Sequence, residues 1–184
     1  MAMRDERRRE VIGRIADHIL AAGLAQTGVR TLAQVAGTSD RMLLYYFANK
    51  DEILREALGA VAFRLAGLLD AAIPSGTRLA FDDLLTNVSG ALRGPVLQPF
   101  MHVWFELVAR AARGEQPFRM IAGLMADGFL AWISERLIVE KEADRRRQAT
   151  LLLATVDGLA LLDAVGRGEA ATVVSGATAK AGGR

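Results

Sequence analysis

The side chain best suited to recognition in this 184-residue chain is Arg41, within the short stretch Asp40–Tyr46 (DRMLLYY). If that stretch is a helix lying against a duplex, the guanidinium fork of Arg41 matches O6 and N7 of guanine, a pairing worth about 1–3 kcal/mol of base discrimination. Asp40 has two possible roles: accepting a hydrogen bond from cytosine N4, or holding Arg41 in place. On the same turns Met42, Leu44 and Tyr45 share the outward face with Arg41, while Leu43 and Phe47 point inward. Phosphate contacts have their own candidates. Lys50 stands at the start of the next helix, whose free N–H groups attract anions. Thr38, Ser39 and Tyr46 carry hydroxyls, and the arginines between residues 4 and 9 could follow the backbone or enter the minor groove. Contacts of that kind position a protein without specifying sequence.

Enzyme chemistry finds little support. The chain has no cysteine and two histidines, which excludes disulfides, thiolate metal sites and cysteine nucleophiles. His18 lies beside the apolar face of the first helix and reads as a packing residue. His102 and Glu106 are four apart, with Arg110 one turn further, so the three share a helical face. They could meet a polar ligand group or form a solvated surface chain, and both readings stand. As metal ligands they lack a third partner. No P-loop or dinucleotide fingerprint occurs. The sequence therefore predicts no enzyme, no cofactor and no metal.

Composition agrees with a folded helical protein. Hydrophobic residues make up 52% and charged residues 24%. Residues 1–55 hold nine Lys/Arg against seven Asp/Glu, and the remainder holds fourteen of each, so the net charge of +2 sits near the N-terminus. That placement is compatible with nucleic acid without proving it. The apolar run Leu151–Val156 is broken by Asp157, far short of the roughly 18 apolar residues of a membrane span. The first ten residues have mixed charge and no apolar segment behind them, unlike a signal peptide. A reducing cytoplasm fits the absence of cysteine.

Hydrophobic spacing predicts an all-α chain. A first helix over 4–22 has Val11, Ile12, Ile15, Ala16, Ile19 and Leu20 on one face. Short helices follow over 29–36 and 40–46, the second capped by Ser39. Asn49 and Glu52 form a capping-box pattern for a long helix ending near Ala72. Further helical segments are expected over 78–93, 95–113, 117–139 and 142–165, with Pro99 a possible split in the second of these. The Gly/Ala-rich tail 167–184 is expected to be disordered.

Residues 29–54, VRTLAQVAGTSDRMLLYYFANKDEIL, satisfy the requirements of a helix-turn-helix in one register. Ala33 is small where two helices would cross, and Gly37 tolerates positive φ in the turn. Leu32, Ala36, Leu43 and Phe47 are spaced to hold the two helices together. The segment resembles the DNA-binding domain of the TetR family of repressors. The matching residues are Thr27, Leu32-Ala33, Ala36-Gly37-Thr38-Ser39 and Leu43-Leu44-Tyr45-Tyr46-Phe47-Ala48-Asn49-Lys50-Asp51. Two positions depart from the family pattern: Thr38 replaces the usual Val, and Leu44 replaces a Tyr that touches the DNA backbone. The resemblance implies a helix-turn-helix domain over 1–49 and a ligand-binding and dimerisation domain over 50–166. It also implies a second base contact at Arg30 and a homodimer on a palindromic site in double-stranded DNA.

The final helix is apolar on nearly all sides, so it must be buried on all sides. One side would face its own core and the other a partner. Phe129, Ile133, Leu152, Val156, Leu159, Leu162 and Asp163 are the interface candidates, although a central helix within a monomer would show the same pattern. In the family, large apolar residues of the middle helices line an effector cavity, although in any helical protein they are first of all core. The candidates here are Val61, Leu65, Leu68, Phe81, Leu85, Val88, Met101, His102, Trp104, Phe105, Met120, Leu124 and Phe129. They would suit a small hydrophobic or amphipathic effector that pushes on the long fourth helix and releases DNA. The alternative is a DNA-binding regulator with no small-molecule effector, constitutive or controlled by a protein partner.

Overall fold

The computed structural model describes residues 2–169, and among these the chain is built from eight α-helices with no strand. They are α1 (Ala2–Ala22), α2 (Val29–Val35), α3 (Asp40–Tyr46), α4 (Lys50–Ala72), α5 (Phe81–Arg93), α6 (Gln98–Ala112), α7 (Phe118–Arg136) and α8 (Glu142–Ala164). The all-α expectation holds. The expected disordered tail lies outside the described residues from 170 onward. Contacts divide the chain into two compact units, Met1–Ala66 with Pro99–Met125 and Gly67–Gln98 with Ala126–Arg184.

In the first unit, α1, α2 and α3 gather around Val11, Ile15, Ile19, Leu24, Leu32, Ala36, Leu43 and Phe47, each at most 1% exposed. The first turn of α4 adds Ile53 and Leu54 to this core. Ionic ties hold α4 to α1. Arg8 pairs with Glu52 at 2.6 Å and with Glu56, and Arg64 pairs with Asp17 at 2.6 Å.

In the second unit α5 packs on α8. The buried sides are Leu84, Leu85, Val88 and Leu92 against Ala149, Leu152, Val156 and Leu159. A short backbone bridge joins Leu79 to the residues after α7. The Leu79 N–H donates to Arg136 O at 2.8 Å, and the Ile138 N–H donates to Leu79 O at 2.9 Å. Residues 78–80 are therefore extended, and α5 begins at Phe81 rather than at residue 78. Arg136 is 1% exposed, yet each of its guanidinium nitrogens has a partner. Nε donates to Ile73 O, Nη1 to Trp132 O and Nη2 to the Asp70 carboxylate, at 3.0, 3.1 and 2.6 Å. The charge also lies 4.0 Å over the Trp132 ring. A buried cation needs such a full set to remain charged without heavy cost.

Pro99 does not split its helix. It is the second residue of α6, in the first turn, where a missing N–H breaks no helical hydrogen bond. Residues 95–97 form a turn ahead of it.

Candidate nucleic-acid interface

The geometry of the site starts at the turn. Gly37 follows α2 with φ +67°. A side chain there would be strained, and its Cβ would lie 2.7 Å from Nη1 of Arg14. The turn closes with the Thr38 N–H donating to Ala33 O at 2.9 Å. Ser39 then caps α3, its Oγ accepting from the Met42 N–H at 3.2 Å. The crossing of α2 and α3 is close because Ala33 sits there, 1% exposed.

This frame leaves one side of α3 bare. Leu43 is fully buried and is the one buried residue of the helix. Asp40, Arg41, Met42, Leu44 and Tyr45 are exposed, with Tyr45 at 61%. Tyr46 is half-buried, its ring edge-on to that of Tyr45 with centroids 5.6 Å apart. Arg30 is exposed on α2 and Lys50 on α4. Among the described residues, Arg30, Arg41 and Lys50 have no ion-pair partner, and Asp40 does not pair with Arg41. Three apolar or aromatic side chains held open to water on so short a helix cost solvation. Together they form an apolar patch on the outer side of the helix.

The other basic residues near the N-terminus are mostly engaged within the protein. Arg7 pairs with Glu10 at 2.6 Å, and Arg14 pairs with the same carboxylate at 2.7 Å. Arg14 also approaches Ala36 O at 3.4 Å. Arg8 lies 4.8 Å over the Phe47 ring between Glu52 and Glu56. Burial works against the charge on Arg8, but its hydrogen bond to Glu56 and the two carboxylates outweigh it and raise its pKa further. The start of α4 is also partly satisfied from within. The Glu52 N–H donates to Asn49 Oδ1 at 2.9 Å, and the Ala48 N–H donates to Glu52 Oε2 at 2.5 Å. The expected capping box therefore closes one residue early, on Ala48 rather than Asn49. The Ala48 amide, with Arg8 adding to it, holds the Glu52 carboxyl below its ordinary value. An anion at this helix end would meet Lys50 beside carboxylates that have already taken part of the site.

Glu106 and Arg110 have a role that sequence reasoning did not reach. They clamp the connection between α1 and α2. The Glu106 carboxylate accepts from the Leu24 N–H at 2.8 Å, and Arg110 Nη2 donates to Leu24 O at 3.3 Å. Thr27, buried behind the loop, also donates to Leu24 O, at 3.0 Å. Arg110 stacks 4.7 Å over Phe118. Gly23 permits the fit, with φ +73° and a Cβ position that would overlap Glu106 Oε1. The shared face of His102, Glu106 and Arg110 was visible in the sequence, but the backbone group they would grip was not. His102 itself stands exposed.

Four of the interface candidates require correction. Ile133, Leu152, Val156 and Leu159 are between 0 and 4% exposed within a single chain, so they belong to its own core and cannot meet a partner. Asp163 is engaged by Arg93 at 2.7 Å, while Leu162 and Phe129 are half-buried. The side of α8 that stays open carries Leu151, Ala154, Gly158 and Leu161, with Val165 at its cap.

The effector candidates fall in both units. Val61, Leu65, Met101, His102, Trp104, Phe105, Met120 and Leu124 belong to the first, and Leu68, Phe81, Leu85, Val88 and Phe129 to the second. Val61, Leu85, Val88 and Met101 are buried, whereas Leu68, His102, Met120 and Leu124 are exposed. Met120 lines an open cleft of about 310 Å³ with Asn49, Asp51, Arg55 and Gln116. Those four exposed side chains face solvent rather than an enclosed apolar interior.

A short helix fixed by a glycine turn, with its outer face bare and Arg30, Arg41 and Lys50 free of ion pairs among the described residues, has the geometry of the helix-turn-helix class of DNA-binding proteins. Residues 16–57 match the family model described as bacterial regulatory proteins, tetR family. The chain is 26% identical over 167 residues to the HTH-type transcriptional regulator PksA of Bacillus subtilis (strain 168), covering 85% of this chain and 78% of that one. Among solved structures it is similar to a transcriptional regulator from Rhodococcus sp. Rha1, with TM-score 0.68, 26% identity and coverage of 91% and 92%. It also shares the fold of the multidrug binding protein EbrR complexed with proflavin, with TM-score 0.65, 23% identity and coverage of 94% and 99%. Over residues 16–57 the chain is thus similar to the DNA-binding domain of the TetR family, and along most of its length it is similar to transcriptional regulators.

Proposed function

We propose that this protein is a repressor that binds a palindromic operator as a homodimer and leaves it when a small hydrophobic or amphipathic molecule binds. The observation that carries the reading is the bare face of α3, where Arg41 is exposed and unpaired while Leu43 anchors the helix from behind. Arg41 reads a base, Arg30 adds a second contact, and Lys50, Thr38 and Tyr46 meet phosphates. Ser39 acts chiefly by fixing the helix start, since its Oγ is already engaged. Such a protein acts where the chromosome is, in the cytoplasm.

The open side of α8 supports the dimer. Leu151, Ala154, Gly158, Leu161 and Val165 recur at intervals of three and four, the spacing of a helix seam. Leu151, Leu161 and Val165 are 54, 55 and 61% exposed in the single chain. Two heads brought together this way would meet half-sites about one or more turns of duplex apart, roughly 34 Å per turn.

The multidrug binding protein EbrR, solved with proflavin, supports an apolar or aromatic effector for this chain. The clamp on Leu24 offers a route for the signal, because a ligand that displaces α6 pulls the α1–α2 connection through Glu106 and Arg110. Such a ligand must bind the DNA-free state more tightly, since equal affinity for both states shifts nothing.

Selection of bound duplexes from a random pool tests the reading. A two-fold-symmetric site should emerge. Arg41→Ala should lose preference at one base pair in each half-site, about 1–3 kcal/mol of discrimination. An unchanged site in the variant would remove Arg41 from the base-reading role, and no enriched site at low salt would end the operator proposal.

A further inference from the structure

We infer that Arg4, at the start of α1, is a DNA phosphate contact held in place by Tyr45 of the recognition helix. The inference rests on the DNA-reading role of α3. Arg4 is exposed, and its guanidinium carbon lies 5.0 Å over the Tyr45 ring. Tyr45 is itself 61% exposed on the outer face of α3. A cation and a ring that meet in open solvent, one from each of two helices, place a positive charge at the border of the reading face.

The surrounding arginines set Arg4 apart. Arg7 and Arg14 share the carboxylate of Glu10, and Arg8 lies between Glu52 and Glu56. Arg9 turns its Nε back toward the Asp5 carbonyl at 3.4 Å. Among the described residues no carboxylate pairs with Arg4. Arg7, Arg8 and Arg14 are thus neutralised from within, whereas Arg4 and Arg9 have no carboxylate partner among the described residues, and of these two it is Arg4 that lies beside α3.

The position of the stack selects phosphate over base. Tyr45 is the sixth of seven residues in α3, whereas the first residues of a recognition helix are those that meet base edges. Asp40, Arg41 and Met42 occupy that end. The far end of the helix runs toward the wall of the groove, which is the sugar–phosphate backbone. Leu44, next to the stack, has no donor for a phosphate oxygen. Arg4 supplies one, with a planar fork suited to phosphate, and the Tyr45 ring reduces the freedom it would lose on binding.

The test uses the full chain and the duplex selected by the wild-type protein. Arg4→Ala should weaken binding about tenfold and lower the slope of log affinity against log salt by about 0.9 for each head that loses a phosphate contact. The selected sequence and the melting temperature should stay those of wild type. Arg4→Lys should keep the salt slope with intermediate affinity. Tyr45→Leu should make a subsequent Arg4→Ala less costly than it is in the wild type. Arg9→Ala, which removes the same charge from another side of α1, should change affinity less than Arg4→Ala. Wild-type affinity and slope in Arg4→Ala, an effect of Arg9→Ala equal to it, or an altered base preference would each overturn the inference. If the wild-type protein itself selects no duplex, the reading of α3 fails and the inference falls with it.

Discussion

The recognition head and the α5–α8 layer both present apolar side chains to water, but they are held together in different ways. Apart from its small core, the head depends on polar fastenings: the Gly37 turn, the Ser39 and Asn49 caps, the Arg8 pairs and the grip on Leu24. The α5–α8 layer depends on leucine and valine packed side against side. The difference concerns what each region must do. A reading head needs one geometry and a bare surface, which directional bonds at its edges can give while leaving the face open. A layer that only has to remain associated can rely on burial, which is non-directional.

Substitutions can break this contrast or sharpen it. The largest effect is expected in the apolar layer. Leu152→Ala should cost about 2–5 kcal/mol of unfolding free energy, the usual range for a leucine removed from a packed core. Its neighbour Leu151→Ala, on the open side of α8, should leave the stability of a single chain nearly unchanged and weaken self-association instead. Urea unfolding combined with sedimentation would separate the two outcomes, and equal losses of stability would show that the buried and open sides of α8 were misassigned.

A smaller loss is expected at the clamp. Gly23→Ala must adopt positive φ and displace Glu106, for about 1–3 kcal/mol. In a Glu106→Ala background the same change should cost less, because the overlap is gone and only the backbone strain remains. Thermal melts of the four proteins of this cycle would measure the difference. If the two costs are the same, Glu106 does not press on this loop.

The smallest effect belongs to the cap of α4. Glu52→Gln should cost about 1 kcal/mol near neutral pH, in the range of a lost cap. Because the folded protein holds the Glu52 carboxyl below its ordinary value, its contribution is fully present above the unfolded carboxylate value of about 4.3. That contribution disappears as pH falls through the lower folded value. Wild type and variant should therefore converge in acid, as followed by melting temperature against pH. A constant gap would mean that the charge of Glu52 plays no part.

The head was the more legible region in the sequence, for a physical reason. Short-range rules govern it: a glycine where φ must be positive, a small residue where helices cross, a hydroxyl before a helix. The bounds of α3 and α4 followed from them directly. Leu43 and Phe47 were assigned inward because the pattern left them no other side. In α8 the same reasoning had too much to work with. Leucines on two sides satisfy helical spacing equally, so Leu152 and Leu159 were assigned outward when their own core held them. The start of α5 was misplaced because the Leu79 bridge pairs residues far apart in sequence. The Glu106 and Arg110 grip was hidden because its target is a backbone group 82 residues before Glu106, and backbone groups have no sequence signature.

One consequence of that grip concerns motion. The Leu24 amide belongs to a connection between helices, where amide protons usually exchange with solvent quickly, although its side chain is buried in the core. Here the proton is shielded by a carboxylate from α6, so it should exchange slowly for a loop position and report each opening of the head away from that helix. A single resonance, followed with and without DNA, would then give a local clock for the two being joined or apart.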